Sequence, residues 1–396
     1  MCVMARFRLA PTPEQEAALL GHCKSARYVW NLALEQWSMW SVGRRSYPPR
    51  YVQQARQLTE ARAAGEWLRS GSQTVQQQAL RDFDQAVTNF FAGTHRRPTW
   101  RKAGMHEGFR IVGPQAGRVE KLNRKWARVL VPKVGWVKFR LSGPLPDAKS
   151  YRVSRDRAGR WHIAFAVVPE PIPGPGTGEV VGVDRGVTVS AALSTGEKLR
   201  VPTLTSGEKR RLRKLQQRLS RARSGSNRRS RTKAAIARLK AREADRRKDW
   251  VEQISTRLAR EFDVIRVEDL RIVQMTRSAK GTVDNPGKRV RQKAGLNRGI
   301  LANGWGRLVQ RLEHKAAGRV EKIPAAYTSQ TCSRCGTRDR EARESQAVFR
   351  CRSCGYTANA DVNAAVNIAA GRAVNARGAT AVPVAEKREP QPPTSA

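Results

Sequence analysis

Apolar residues Leu19, Leu20, Cys23, Ala26, Val29, Trp30, Ala33 and Trp37 recur at the three- and four-residue spacing of one helix face. Just upstream, Thr12, Pro13 and Gln15 supply an N-cap, a first-turn proline and the return partner of a capping box, so the helix should begin there. Further helix is predicted over 52–64 and 75–91, which gives a helical lobe across about 12–95. The pattern then changes. Residues 93–111, GTHRRPTWRKAGMHEGFRI, are basic and aromatic with a proline that argues against helix, and they read as a loop that tracks phosphates and stacks on bases. Between 118 and 168 the short runs ARVLVP, GWVKFRL and YRVSRDRAGRWHIAFAVV predict strands, the last folded back at a turn over 156–159. Such runs suggest a small barrel or sandwich, which a strand at 7–9 could join.

The stretch PEPIPGPGTG is the clearest linker, because proline and glycine forbid regular structure there. A second domain follows. Val180, Val181 and Val183 make a buried strand ending at Asp184, and two more strands follow turns at 185–186 and 195–196. Leu212, Leu215 and Leu219, then Val251, Ile254 and Leu258, form a thin apolar stripe broken at Ser224-Gly225-Ser226-Asn227, which reads as a helical hairpin. A strand DVIRVEDL, a polar basic loop over 276–298 containing Asn285, Pro286 and Gly287, and a helix near 301–317 complete the pattern. Three strands, helices, a strand, a helix and a strand is the order of an RNase H-like α/β fold. The tail 379–396 reads as disordered.

Charge alters this picture more than composition does. The 396 residues hold 76 Lys and Arg against 33 Asp and Glu, a net charge of +43. Such self-repulsion is usually offset by a polyanionic partner. In residues 208–250 alone, 18 basic side chains face four acidic ones. Arg210, Arg211, Arg218, Arg228 and Arg229 on the hairpin, and Arg96, Arg97, Trp100, Arg101 and Lys102 in the earlier loop, are therefore the candidate nucleic-acid contacts. No apolar run of 18 residues occurs, so no membrane span or membrane partner is expected. The N-terminus lacks the continuous apolar core of a secretion signal, and the cytosol is the expected location.

Four of six cysteines fall close together, as Cys332-x2-Cys335 and Cys351-x2-Cys354, with Gly336 and Gly355 directly after each pair. Two such knuckles close a tetrahedral four-sulfur cage for Zn²⁺, and a filled shell makes the ion structural. Cys2 and Cys23 look like ordinary small core residues. The five histidines form no ligand spacing, and no phosphate-binding glycine loop of the G-x-x-x-x-G-K-[ST] type occurs.

Three acids sit where solvated surface charge would not be expected. Asp184 ends the strand VVGVD, Glu268 ends VIRVE, and Asp361 precedes the helix VNAAVNI. Singly, each has a plain alternative: Asp361 as an N-cap, Asp184 as a turn residue, Glu268 with Asp269 as partners of the basic hairpin. Together, two strand-end carboxylates and one at a helix start can converge on an RNase H-like sheet, at a repulsive cost that cations relieve. Oxygen-only ligands favour Mg²⁺ or Mn²⁺, and two such ions about 4 Å apart activate water and stabilise a leaving oxygen in phosphodiester cleavage. Asp361 as a fifth zinc ligand is excluded, since four thiolates fill that shell.

In the order GVDRG, VIRVEDL, four cysteines, DVNAAVNI, these motifs resemble the TnpB proteins of bacterial insertion sequences, RNA-guided nucleases related to type V CRISPR effectors. FRLAPTPEQEAALLGHCKSARYVWNLAL resembles their N-terminal opening, GWVKFRL and GRWHIAFAV their barrel, and RRLRKLQQRLSRA their post-acid hairpin. The resemblance implies a multidomain α+β protein. Its parts would be a wedge-like β-barrel (1–11 with 95–170), a helical recognition lobe (12–94), a linker (171–178), a RuvC RNase H-like nuclease (179–327 with 359–378) and an inserted zinc ribbon (328–358). It further implies Asp184, Glu268 and Asp361 as catalytic, magnesium-holding acids. The partners would be a guide RNA from the element's own end and double-stranded DNA beside a short adjacent motif, with one protein per RNA, in the bacterial cytoplasm near the nucleoid. Two departures stand out: Arg185 where an apolar residue is usual, and Gln330 where lysine is common. Rival readings are a nuclease-inactive RNA-guided repressor, a transposase that joins strands, and a plain zinc-ribbon nucleic-acid binder.

Overall fold

The computed structural model describes residues 3–40, 47–147, 149–345 and 347–371. Cys2 and the tail 379–396 lie outside the described residues. The chain divides into two compact units, Met1–Pro169 with Leu204–Arg242, and Glu170–Thr203 with Glu243–Ala396.

The first unit opens with β1 (Val3–Ala10) and α1 (Pro13–Ser38), the latter started by the predicted Thr12–Gln15 capping box. Helices α2 (Tyr51–Ala64), α3 (Glu66–Ser70) and α4 (Gln73–Phe91) follow. Trp30 and Trp37 of α1 meet Phe83 of α4 edge-on, with ring centroids 5.3 and 6.5 Å apart, and lock the two long helices together. Six strands come next: β2 (Gly108–Val112), β3 (Val119–Lys121), β4 (Trp126–Val131), β5 (Gly135–Arg140), β6 (Ser150–Arg155) and β7 (Trp161–Val167). With β1 at the centre they form an antiparallel sheet, β2-β6-β7-β1-β5-β4-β3. Phe7, Phe139, Phe165 and Tyr151 pack its buried face. Strand β2 lies in the segment read from sequence as a loop. Phe109 and Ile111 alternate into the core there, and pairing with β6 overrides the weak local signal. Edges β2 and β3 do not pair among the described residues, so hydrogen bonding alone does not close a barrel.

The second unit is built on β8 (Val180–Asp184), β9 (Ala191–Leu193) and β10 (Lys198–Leu199). The hairpin of α5 (Ser206–Ser220) and α6 (Asn227–Glu261) comes next in the chain, and the unit boundary falls within α6. Strand β11 (Val264–Glu268) is followed by α7 (Ile272–Met275), α8 (Val290–Asn303), α9 (Trp305–Lys315) and β12 (Val320–Ile323). The predicted basic loop thus ends early and the single predicted helix is two, broken at Gly304, whose φ of +69° no ordinary helix residue adopts. The sheet order is β10-β9-β8-β11-β12, with β8, β11 and β12 mutually parallel and β9 and β10 antiparallel. Val181, Val183, Ile265 and Val267 are fully buried between this sheet and residues such as Leu258, Leu308 and Leu312. The ribbon pair β13 (Val348–Arg350) and β14 (Thr357–Asn359) leads into α10 (Ala360–Ala369). No helix among the described residues is long and apolar enough to cross a membrane.

Candidate carboxylate site and cysteine cluster

Strands β8 and β11 run parallel in the register Val183 beside Val267, so Asp184 and Glu268 leave neighbouring strand ends at the same level. The third acid arrives through helix packing. A Cβ on Gly182 would collide with the backbone of Ala365 and Ala369, so only glycine lets α10 lie directly on β8. That approach brings the first turn of α10, and with it Asp361, to the strand ends. Asp361 is not the cap of α10. Asn359 is, its side chain accepting from the Val362 amide at 3.3 Å. Asp361 instead meets Arg343, whose guanidinium donates to its carboxylate at 3.2 Å.

The charges conflict. Burial, and after it the charges of Glu268 and Asp361, push the Asp184 carboxyl up to about 7 against the opposing pull of Arg343 and the Arg185 amide. Glu268 is raised by burial too, against a hydrogen bond from Thr328 (3.0 Å) and the nearby Arg185 guanidinium. Arg185 is itself buried, and donates to the Glu268 carbonyl. The donor set, three carboxylates in mutual repulsion, suits hard divalent cations such as Mg²⁺ or Mn²⁺. The oxygens are not drawn together as a shared ion would draw them. Among the described residues, only the cysteine cluster has three or more ligand atoms all within 4.8 Å of one another.

The cysteines fit zinc closely. Sγ atoms of Cys332 and Cys354 lie 3.8 Å apart and those of Cys335 and Cys351 3.6 Å apart, near the edge of about 3.8 Å of a tetrahedron with ~2.3 Å bonds. The two knuckles repeat one geometry. Gly336 and Gly355, at φ +76° and +69°, each donate to the carbonyl of the first cysteine of the pair at 3.0 Å. The hydroxyl and backbone of Thr337 hold the Cys335 thiol down to about 6, while Cys354, despite the Tyr356 backbone that lowers it, is pushed up to about 12 by desolvation and the neighbouring thiols. Cys23 is buried in the helical core.

The candidate nucleic-acid residues fall into three settings. Arg96, Arg97 and Arg101 line a cleft of about 1370 Å³ with Arg81, Arg110, Arg152, Gln77, Gln78, Gln85 and Asn89. Arg101 stacks on Trp30 at 3.6 Å and its backbone is held on both sides by Asn31, while Arg97 lies 5.0 Å over Trp37. Trp100 and Lys102 are exposed outside that lining. Arg210, Arg211, Arg218 and Arg228 are exposed on the hairpin, but Arg229 turns back to clasp the carbonyls of Leu219 and Ala222.

Sequence reasoning missed Arg343, Thr328 and the anchor of the ribbon. Buried Asn363 and Asn367 on α10 bind the Thr331 carbonyl at 2.8 and 2.7 Å, and Asn363 also accepts from Ser333. Two asparagines four apart on an apolar helix were the available signal.

A family described as "Probable transposase" matches residues 162–279, and the "Cas12f1-like, TNB domain" matches 305–368. A "Helix-turn-helix domain" matches 4–41, although the described residues there form a strand and one continuous helix, β1 and α1. "Putative RNA-guided DNA endonuclease InsQ" of Escherichia coli is 36% identical over 381 residues, covering 94% of this chain and 93% of its own length. A "Putative RNA-guided DNA endonuclease" of Streptomyces pristinaespiralis is 33% identical over 384 residues, covering 94% and 90%. The "CRISPR-associated endodeoxyribonuclease Cas12f1" of Sulfoacidibacillus thermotolerans is 57% identical, but over 65 residues only, 16% of this chain and 15% of its own.

Proposed function

The chain belongs to the TnpB family of insertion-sequence proteins, and from that premise we propose that it is an RNA-guided endonuclease that cuts double-stranded DNA for a mobile element. Asp184, Glu268 and Asp361 are its active-site acids. The observation that carries this reading is their convergence. Residues 84 and 93 positions apart in the chain are brought to two adjacent strand ends and one helix start, where burial first and then the neighbouring acids raise Asp184 to about 7. The sheet order β10-β9-β8-β11-β12 supports an RNase H-like, RuvC-type assignment for the second unit.

The three acids would hold Mg²⁺ or Mn²⁺, which when bound supply activated water and neutralise the leaving oxygen. This chain's own residues do the rest. Thr328 fixes one oxygen of Glu268, and Arg343 places a guanidinium beside Asp361 where a scissile phosphate also needs positive charge. Cys332, Cys335, Cys351 and Cys354 hold one structural zinc with no open position for water. Asn363 and Asn367 tie the ribbon to the helix that carries Asp361, so zinc supports the site's geometry without joining its chemistry.

The +43 charge suits a guide RNA and target duplex read mainly through their backbones, while base pairing supplies sequence. The cleft of the first unit suits the short adjacent motif: Arg96 and Arg97 offer charge to phosphate, Arg110 and Arg152 being paired with Asp82, and its amide side chains match base edges. The test is to co-purify the protein with its RNA and assay a matched plasmid with and without Mg²⁺. Asp184→Ala, Glu268→Ala or Asp361→Ala should abolish cutting while RNA-dependent DNA binding persists. Full cleavage by all three variants would sink the assignment.

A further inference from the structure

We propose that Arg185 is a built-in cation of the carboxylate cluster, which holds the acids together before any divalent ion arrives and, by the same charge, weakens ion binding there. The inference rests on reading Asp184, Glu268 and Asp361 as the ion ligands.

Arg185 directly follows Asp184 at the end of β8 and is only 6% exposed. A guanidinium is rarely buried unless anions compensate it. Here they do: its terminal nitrogen donates to the Glu268 carbonyl, and the charges acting on it against burial are those of Glu268, Asp184 and Asp269. Its Nε is buried without a hydrogen-bond partner. The side chain is therefore held by the carboxylates' field more than by a complete set of hydrogen bonds. Arg343 differs in kind. It reaches Asp361 from between the two cysteine pairs, with its side chain 31% exposed. Arg185, by contrast, directly follows the strand end and is buried against the Glu268 carbonyl.

A fixed positive charge within several ångströms of an ion site costs a dication dearly even at an effective dielectric of 20, enough for a tenfold or larger loss of affinity, on the order expected from Coulomb's law. The same charge reduces repulsion among the acids while ions are absent. One residue then trades metal affinity for stability of the unloaded site.

The test uses the full-length protein freed of nucleic acid, titrated with Mn²⁺ by the paramagnetic signal of the free ion. Thermal denaturation is run with and without Mn²⁺. Arg185→Met and Arg185→Gln should each bind Mn²⁺ about tenfold more tightly than wild type, melt lower without the ion, and gain more on its addition. Arg185→Lys should keep wild-type affinity. Unchanged or weaker binding in both neutral variants overturns the proposal. Failure of both to fold at saturating Mn²⁺ also overturns it, since bound ions should replace the lost charge. Equal Mn²⁺ binding by wild type and Asp184→Ala would instead fell the ligand assignment, and the role of Arg185 with it.

Discussion

The tightest steric point beneath the site is Gly182, and Gly182→Ala is the most informative single substitution. A Cβ there would stand 2.0 Å from the Ala365 carbonyl oxygen and 3.0 Å from the Ala369 Cα, where ordinary contact begins at 3.4 Å. The obstructing atoms are backbone, so no rotamer change relieves them. Helix α10 must retreat from β8 by about 1.4 Å, the gap between 2.0 and 3.4 Å. Overpacking a tight core costs ~1–3 kcal/mol, and a backbone clash belongs at the upper end. At 2–4 °C per kcal/mol for a domain of this size, the second unit should melt about 6–12 °C lower.

The same retreat carries Asp361 away from Asp184. A misplacement of about 1 Å in a reacting constellation costs roughly a hundredfold in rate. Two assays therefore move together: calorimetric melting of the second unit, and single-turnover plasmid cleavage below its melting range. Zinc content should stay at wild type, because the clash falls on Ala365 and Ala369 and on none of the cysteines. Wild-type melting within 1 °C, or a wild-type cleavage rate, would refute the packing argument.

Other perturbations separate support from chemistry. Zinc removal, or Cys332→Ser, should loosen the ribbon and also stop cleavage, since Asn363 and Asn367 link it to α10; undiminished cutting by zinc-free protein counts against that coupling. Asn363→Ala leaves the Ser333 amide without its acceptor and takes one of two donors from the Thr331 carbonyl, and it should cost about 1–3 kcal/mol in thermal or urea unfolding, with zinc retained. Because Asp184 is raised from 3.8 to about 7, the ion-free fold binds more protons than the unfolded chain between those values. Its stability should fall as pH climbs from about 4 to about 7, with the full loss present above 7. His162, lowered to about 4 in the first unit, slopes the other way between about 4 and 6.5, so chelated wild type must be compared with Asp184→Asn. Identical pH profiles for the two would contradict the shift.

How much of this was legible from the chain follows from where each constraint resides. The start of α1 was readable because a capping box is a local contact, complete within four residues. The cysteine knuckles were readable for the same reason, each turn closing on its own glycine. Strand β2 was not, because Gly108–Val112 is stable only through pairing with β6, some forty residues on. The break at Gly304 was hidden by a weakly amphipathic basic helix whose first residues look like loop. For the carboxylate site, the acids were visible at element ends, but what surrounds them was not. Arg343 comes from inside the ribbon, and no spacing rule links residue 343 to 361 across two knuckle strands. Asp361 shows the limit most clearly. An acid just before a helix is a cap by local rule, and here Asn359, two residues earlier, takes that position. With Asn359 at the cap, the carboxylate in the first turn is left in contact with a guanidinium, beside the buried Glu268 and the half-buried Asp184. An acid relieved of its local role at such a place is a stronger sign of chemistry than any acid that a cap would have explained.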